Sequence, residues 1–267
     1  MRTLATVLLI AAPLFAQDPA PTPTQNPARG VNFYSLEKEK ALGAQLVAEY
    51  RRTIPTLDSA PVNAYLDRLG QRLAALLPDP PFSYQFQLVD DDGTLLHAAP
   101  NFPGGFVFVP AQLILAAQSE SEFAGMLATA IARIAARHQT KQLTKNELTN
   151  IASIPLVFMG GWSGNAPRQG ELVPTGFQRM QLAQEQQADS MALDLLSRAG
   201  FDPRALLRYL ERAGEFPGRA PRLAALQSAL AKLPAAPAPP PSDFAAIQAQ
   251  TGPLVAHPAK APPRLSK

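Results

Sequence analysis

The chain has 267 residues, 46% of them hydrophobic, with 24 Lys+Arg against 21 Asp+Glu, three histidines and no cysteine. That length accommodates one core-forming domain that needs neither disulfides nor a structural metal for stability, and the lack of cysteine excludes disulfide stapling and thiolate metal sites. A formal charge of +3, with basic residues scattered and not interleaved with aromatics, gives no nucleic-acid footprint.

The first residues read "MRTLATVLLIAAPLFA": Arg2, an apolar run from Leu4 to Phe15, then the small Ala16. This layout predicts a secretory signal over 1–16, cleaved after Ala16, because the run is too short to span a bilayer; a retained anchor is the alternative. Export to the periplasm or beyond is the expectation. Residues 17–29 form a Pro/Thr-rich linker. Ser35 is placed to cap a helix with an apolar face of Leu42, Leu46 and Tyr50, ended by Pro55. A second helix starts at Pro61 and carries Tyr65, Leu69, Leu73 and Leu76.

Alternation at Phe82, Tyr84, Phe86 and Leu88 predicts a strand, and "PGG" places a turn before a second strand of Phe106, Val107, Phe108 and Val109. Ser119 and Glu122 then make a capping-box pattern, with Phe123, Met126, Leu127, Ile131 and Ile134 as the buried stripe of a central helix. Thr129, Arg133 and Arg137 recur at steps of four on a different face, with Ala130 beside them. Residues 150–176 are an interrupted, apolar and Gly-rich stretch between helices. It reads either as core around Trp162 or, over 151–162, as a membrane-surface contact, being too short and Gly-broken to span. The domain is expected over 30–233, followed by a Pro/Ala-rich tail at 234–267 that is too poor in large apolar residues to fold. The order of helices, strands and helices makes the chain α+β.

Six collinear blocks now carry a resemblance: "SLEKEKALGAQLVAEY", "VNAYLDRLGQRLAALLP", "FPGGFVFVP", "SESEFAGMLATAIARIAARH", "EQQADSMALDLLSRAGFDPRALLRYLERA" and "FPGRAPRLAALQSAL". Together, from about Phe33 to Phe244, they resemble metallopeptidase family 48, the secreted or periplasmic branch of bacterial zinc peptidases related to the CAAX prenyl endopeptidases. The resemblance implies a mainly helical, gluzincin-like scaffold with a small sheet beside the active-site helix. It also implies a zinc site: an H-E-x-x-H motif gives two ligands and a general base, an E-x-x-A-D block gives the third ligand and a bracing Asp, and an H-P-x-x-x-x-R block gives a further histidine.

In this chain the H-E-x-x-H positions are Thr129, Ala130 and Arg133, so a hydroxyl, a methyl and a cation stand where the resemblance implies two imidazoles and a base. Glu185 and Asp189 match the acidic block, and Phe216 stands in place of the further histidine, ahead of Arg222. Four-residue spacing alone would make Glu185 and Asp189 an ordinary solvated helix edge; the block alignment makes them remnants of a site. His138 reads as a helix C-terminal cap and His97 lies in a strand-like segment. His257 starts an "HPAKAPPRL" stretch whose Arg264 comes one residue too late for the block.

One retained carboxylate cannot hold zinc tightly, and a guanidinium at 133 repels a dication, so no cofactor and no catalytic residue are expected. An exported pseudopeptidase that binds polypeptide is the resulting expectation, with envelope-protein quality control or assembly as its setting. The strand Phe106–Val109 is its candidate binding edge by strand addition. The alternatives are an active zinc endopeptidase using His97, His138 and Glu185, and a membrane-surface protein. Because the resemblance puts Arg133 where the second histidine would stand, across from Glu185, it further implies that the two pair, with Thr129 and Phe216 filling the space of the other imidazoles.

Overall fold

The computed structural model describes residues 32–91, 96–149, 175–234 and 242–255. The expected signal, the linker, the 151–162 segment with Trp162, and His257 lie outside the described residues. The mainly helical α+β architecture expected from the sequence is what the chain adopts.

Helix α1 (Leu36–Thr53) starts where Ser35 Oγ accepts a bond from Lys38 N at 3.3 Å, and it stops as Ile54 turns extended ahead of Pro55. Its buried face centres on Tyr50, whose ring meets Phe102 and Phe108 with centroids 5.2 and 4.7 Å apart. Helix α2 (Ala60–Ala74) carries Pro61 in its first turn and buries Val62, Tyr65, Leu66, Leu69 and Leu73.

Three strands follow: β1 (Gln85–Val89), β2 (Asn101–Phe102) and β3 (Phe106–Pro110). They lie in the order β1-β3-β2, with β1 parallel and β2 antiparallel to β3. Gly104 and Gly105, at φ +85° and +101°, make the turn between β2 and β3 that the "PGG" motif signals. This order corrects the expectation that Phe106, Val107, Phe108 and Val109 form an open edge. β3 is the central strand, Phe108 N donates to Pro100 O at 2.8 Å on its β2 side, and Val107, Phe108 and Val109 are buried. The outer side of β1 is closed at both ends, because Gln71 Nε2 donates to Tyr84 O, Leu57 N to Leu88 O and Asp90 N to Pro55 O. On the far side, Gln139 Nε2 donates to Asn101 O at 2.7 Å.

After the short α3 (Ala111–Ala116) comes α4 (Glu120–Ala135), the helix on which the molecule is built. Every residue from Ser121 to Ala135 is buried, as befits a helix enclosed on all sides. Ser119 Oγ accepts from Glu122 N at 3.3 Å, the expected half of a capping box. The Glu122 carboxylate does not complete the box: it accepts from Gln118 N at 2.7 Å and takes Arg212 bidentately at 3.0 and 2.6 Å.

Arg137, at φ +55°, breaks the helical path, and α5 (His138–Thr149) leaves in a new direction. The corner is held by residues 32–39. Arg137 donates to Glu39 at 2.7 Å and to Tyr34 O at 2.6 Å, while Asn32 and Phe33 N bond Thr140 and Thr144. Helices α6 (Thr175–Ala199), α7 (Arg204–Arg212) and α8 (Arg219–Leu230) enclose the rest of α4.

The unfolded tail expected from 234 is corrected over α9 (Phe244–Thr251) and the 3-10 turn Gly252–Leu254. Phe244 is 4% exposed and its ring lies 5.6 Å from that of Phe123, Ile247 is buried beside it, and Gln248 Nε2 donates to Ile114 O and Ala117 O. Two large apolar residues one turn apart suffice to dock so short a helix, each contributing about 1.5–3 kcal/mol on burial. Among the described residues no helix is long and apolar enough to cross a membrane.

Candidate functional site

The second face of α4 meets α6 and α8 in a cluster of charge. Glu185 and Asp189 stand one turn apart on α6, so both carboxylates point the same way. Arg133 comes from α4 and is 7% exposed; its Nε and Nη2 hold Glu185 at 3.1 and 2.5 Å. Arg222, in the first turns of α8 and 3% exposed, holds Asp189 through Nε and Nη2 at 2.6 and 2.7 Å. Its remaining nitrogen, Nη1, reaches Glu185 at 3.3 Å. Two guanidiniums and two carboxylates thus form one continuous, charge-balanced chain, and the predicted Arg133–Glu185 pair is part of it. Arg133 Nη1 is buried without a hydrogen-bond partner among the described residues.

Electrostatics follow from this geometry. Burial works to raise the Glu185 carboxyl, but Arg133 and Arg222 more than offset it and hold it at about 2. Burial likewise opposes the charge on Arg222, which Asp189 and Glu185 restore and strengthen. The Glu185 side chain is the one member of the four that solvent reaches appreciably, at 31% exposure.

The residues around the cluster are apolar or neutral. Thr129 is fully buried, and its hydroxyl turns back along the helix to donate to Gly125 O at 3.1 Å. Ala130 is also fully buried. Phe216 lies flat against His97, with centroids 4.9 Å apart and planes 7° apart, and the Arg222 guanidinium sits 5.8 Å from the Phe216 ring. His97 is in a turn, not a strand. Burial first, then Arg133 and Arg222, push it down to about 4, so it is neutral near pH 7.

His138 does not cap α4, which has already ended at Ala135; it opens α5 and shares a hydrogen bond of 2.9 Å between Nε2 and Gln187 Oε1. Its burial brings it to about 4 despite that bond. His97, His138 and Glu185 therefore surround the same place without converging as ligands, since among the described residues no group of three or more His, Asp or Glu could hold a metal ion.

The donor set does not fit a zinc ion. A catalytic zinc takes three protein donors and keeps an open position. Here the carboxylate that the resemblance puts in ligand position, Glu185, is already held by two guanidiniums, and a cation occupies the helix position one turn from Thr129. At the position where the resemblance implies a base, the Ala130 methyl cannot accept a proton from water.

Of these residues, the sequence singled out Thr129, Ala130, Arg133, Glu185, Asp189 and Phe216, and the fold brings all six into one region. It did not pair Asp189 with Arg222, although both lay in matched blocks, and nothing in the local pattern marked Gln187 as the partner of His138.

Comparison with known proteins gives one family match and three similar proteins. The sequence profile described as Peptidase family M48 matches residues 61–261. The "Beta-barrel assembly-enhancing protease" of Yersinia pestis is 27% identical over 190 residues, covering 68% of this chain and 38% of that protein. The protein of the same description from Escherichia coli (strain K12) is 26% identical over 210 residues, covering 75% of this chain and 42% of its own length. More distantly, the "Mitochondrial metalloendopeptidase OMA1" of Saccharomyces cerevisiae is 29% identical over 124 residues, covering 45% of this chain and 35% of that one. The chain thus spans about two fifths of the length of the curated relatives it matches.

Proposed function

The chain belongs to Peptidase family M48, and from that premise we propose that it is an exported, noncatalytic member that binds polypeptide segments during the assembly or quality control of envelope proteins. The observation that carries this reading is the bidentate grip of Arg133 on Glu185. Hydrolysis of a peptide bond needs a group to polarise the carbonyl and a base to take a proton from water. The positions implied for those tasks carry a hydroxyl turned onto its own helix, a methyl group, and an arginine closed on a carboxylate. What this face of α4 retains is rigidity, not chemistry.

The envelope setting is supported by the descriptions of the Yersinia pestis and Escherichia coli relatives, and export by the signal-like layout of residues 1–16. Because β3 is paired on both sides, bound polypeptide does not add to it. The solvent-reached side of Glu185, near His97, is the surface assigned to it instead.

Metal analysis and a casein-hydrolysis assay on the purified chain test the catalytic half of the proposal, with well under one equivalent of zinc and no turnover above buffer expected. Fluorescence anisotropy of labelled, unfolded casein tests the binding half. Stoichiometric zinc with chelator-sensitive hydrolysis would overturn the first half, and no saturable anisotropy change the second.

A further inference from the structure

We propose that Arg133 does the structural work that a metal does at this place in the family, its guanidinium being the cation that ties α4 to α6, and that Ala130 is the change that lets a single positive charge suffice. This rests on the noncatalytic reading of the same site. A metal bound between ligands from two helices is a cross-link as well as a reagent, and a chain that loses it must hold those helices some other way. Here the cross-link is a continuous run from Arg133 on α4, through Glu185 on α6 and Arg222 on α8, back to Asp189 on α6, with no link longer than 3.3 Å.

The charges close as well as the geometry. Arg133 and Arg222 balance Glu185 and Asp189, in surroundings where an unbalanced ion is costly. In the metal site implied by the resemblance, a dication and a catalytic carboxylate stand with the same glutamate, aspartate and arginine. Removing that dication and that carboxylate together, and adding one guanidinium, leaves the local charge unchanged. Arginine at 133 and alanine at 130 are therefore one coupled replacement. Either reversed alone leaves the buried cluster with an extra negative charge: Arg133→Met by taking away the cation, Ala130→Glu by placing a carboxylate where the side chain is fully buried.

Thermal unfolding of the full chain, followed by circular dichroism with and without EDTA or added zinc, tests the proposal. The wild type is expected to melt at the same temperature under all three conditions. Arg133→Met and Ala130→Glu are each expected to lower the melting temperature, and Glu185→Gln added to Arg133→Met to raise it again, because the stranded charge is then gone. If Arg133→Met alone does not fold, recovery of a cooperative transition in the double variant carries the same test. The variant combining Thr129→His, Ala130→Glu and Arg133→His is expected to bind one zinc per chain and to melt higher with zinc than with EDTA. A double variant that melts below Arg133→Met, or a triple variant indifferent to zinc, overturns the proposal while leaving the noncatalytic reading intact. A wild type that carries stoichiometric zinc and hydrolyses casein overturns that reading itself.

Discussion

Arg222 holds Asp189 through two bonds of 2.6 and 2.7 Å and still touches Glu185 at 3.3 Å, so one guanidinium on α8 serves both carboxylates of α6. Arg222 and Asp189 are each only 3% exposed at the side chain. Removing one partner of such a pair strands the other charge, so Arg222→Met is expected to cost about 3–5 kcal/mol in urea unfolding. Arg222→Lys should recover only part of this, because an ammonium cannot reproduce the planar two-point grip. A lysine variant as stable as the wild type would contradict this account of the bidentate geometry.

Acid is expected to weaken the fold in two overlapping stages. His97 and His138 are both depressed to about 4, so between roughly pH 6.5 and 4 the unfolded chain binds protons that the folded chain refuses. Their contribution is complete above the unfolded value and is lost as pH falls through that window, at up to about 1.4 kcal/mol per pH unit for each ring. His97 is half-buried, and its share is the smaller for solvent screening. Glu185, held at about 2, adds stability that is present above its unfolded value near 4.5 and disappears as pH falls toward 2. Urea midpoints measured from pH 8 to pH 3 should fall steadily below about 6.5, and His138→Gln should flatten the upper part of that fall. A midpoint constant from pH 7 to 4.5 would rule this out.

Phe244 fills the space beside Phe123 and Tyr65, with ring centroids 5.6 and 6.1 Å away. Phe244→Ala is expected to destabilise the domain by about 3 kcal/mol, the range for truncating a buried aromatic. Deleting everything after 234 should cost at least as much, because it also uncovers the α2 and α4 rings. Equal stability of the truncated chain would show that α9 is dispensable.

Phe108 offers a direct check on the sheet. As a central-strand residue packed on Tyr50 and Phe102, its replacement by alanine should cost about 3–5 kcal/mol in stability and leave the affinity of the folded protein for casein unchanged. A stable Phe108→Ala protein with weakened casein binding would instead restore β3 as a binding strand.

What the sequence disclosed about this molecule was mostly local. Ser35, Pro61, Ser119 and the Gly104–Gly105 turn announce their elements through capping and backbone chemistry that operates within four residues, and each does in the fold what its type suggests. The Arg133–Glu185 pair was legible for a different reason: two acids in matched positions required a cation, and the aligned motif contained one. The central place of β3 was not legible. Its antiparallel neighbour β2 has only two residues, Asn101 and Phe102, between Pro100 and Pro103, so no alternation exists to betray it. Helix α9 was hidden because Phe244 and Ile247 are diluted by the prolines before them in any compositional average. The Asp189–Arg222 bond depends on the register of α8 against α6, which is a property of packing and not of either segment.

The corner at Arg137 constrains the order in which the chain can be completed. Its bonds to Glu39 and Tyr34 O close loops of 98 and 103 residues, and those of Asn32 and Phe33 to Thr140 and Thr144 close loops of 108 and 111. Synthesis delivers residues one after another from the N-terminus, so Glu39 exists long before the arginine that will neutralise it. Until the chain has been made past Arg137, Glu39 lacks the counterion it has in the fold, and until α5 follows, Asn32 and Phe33 lack their threonine partners. The first of the described helices is thus among the last to be secured, and its docking is the step that such long-range closure makes slow.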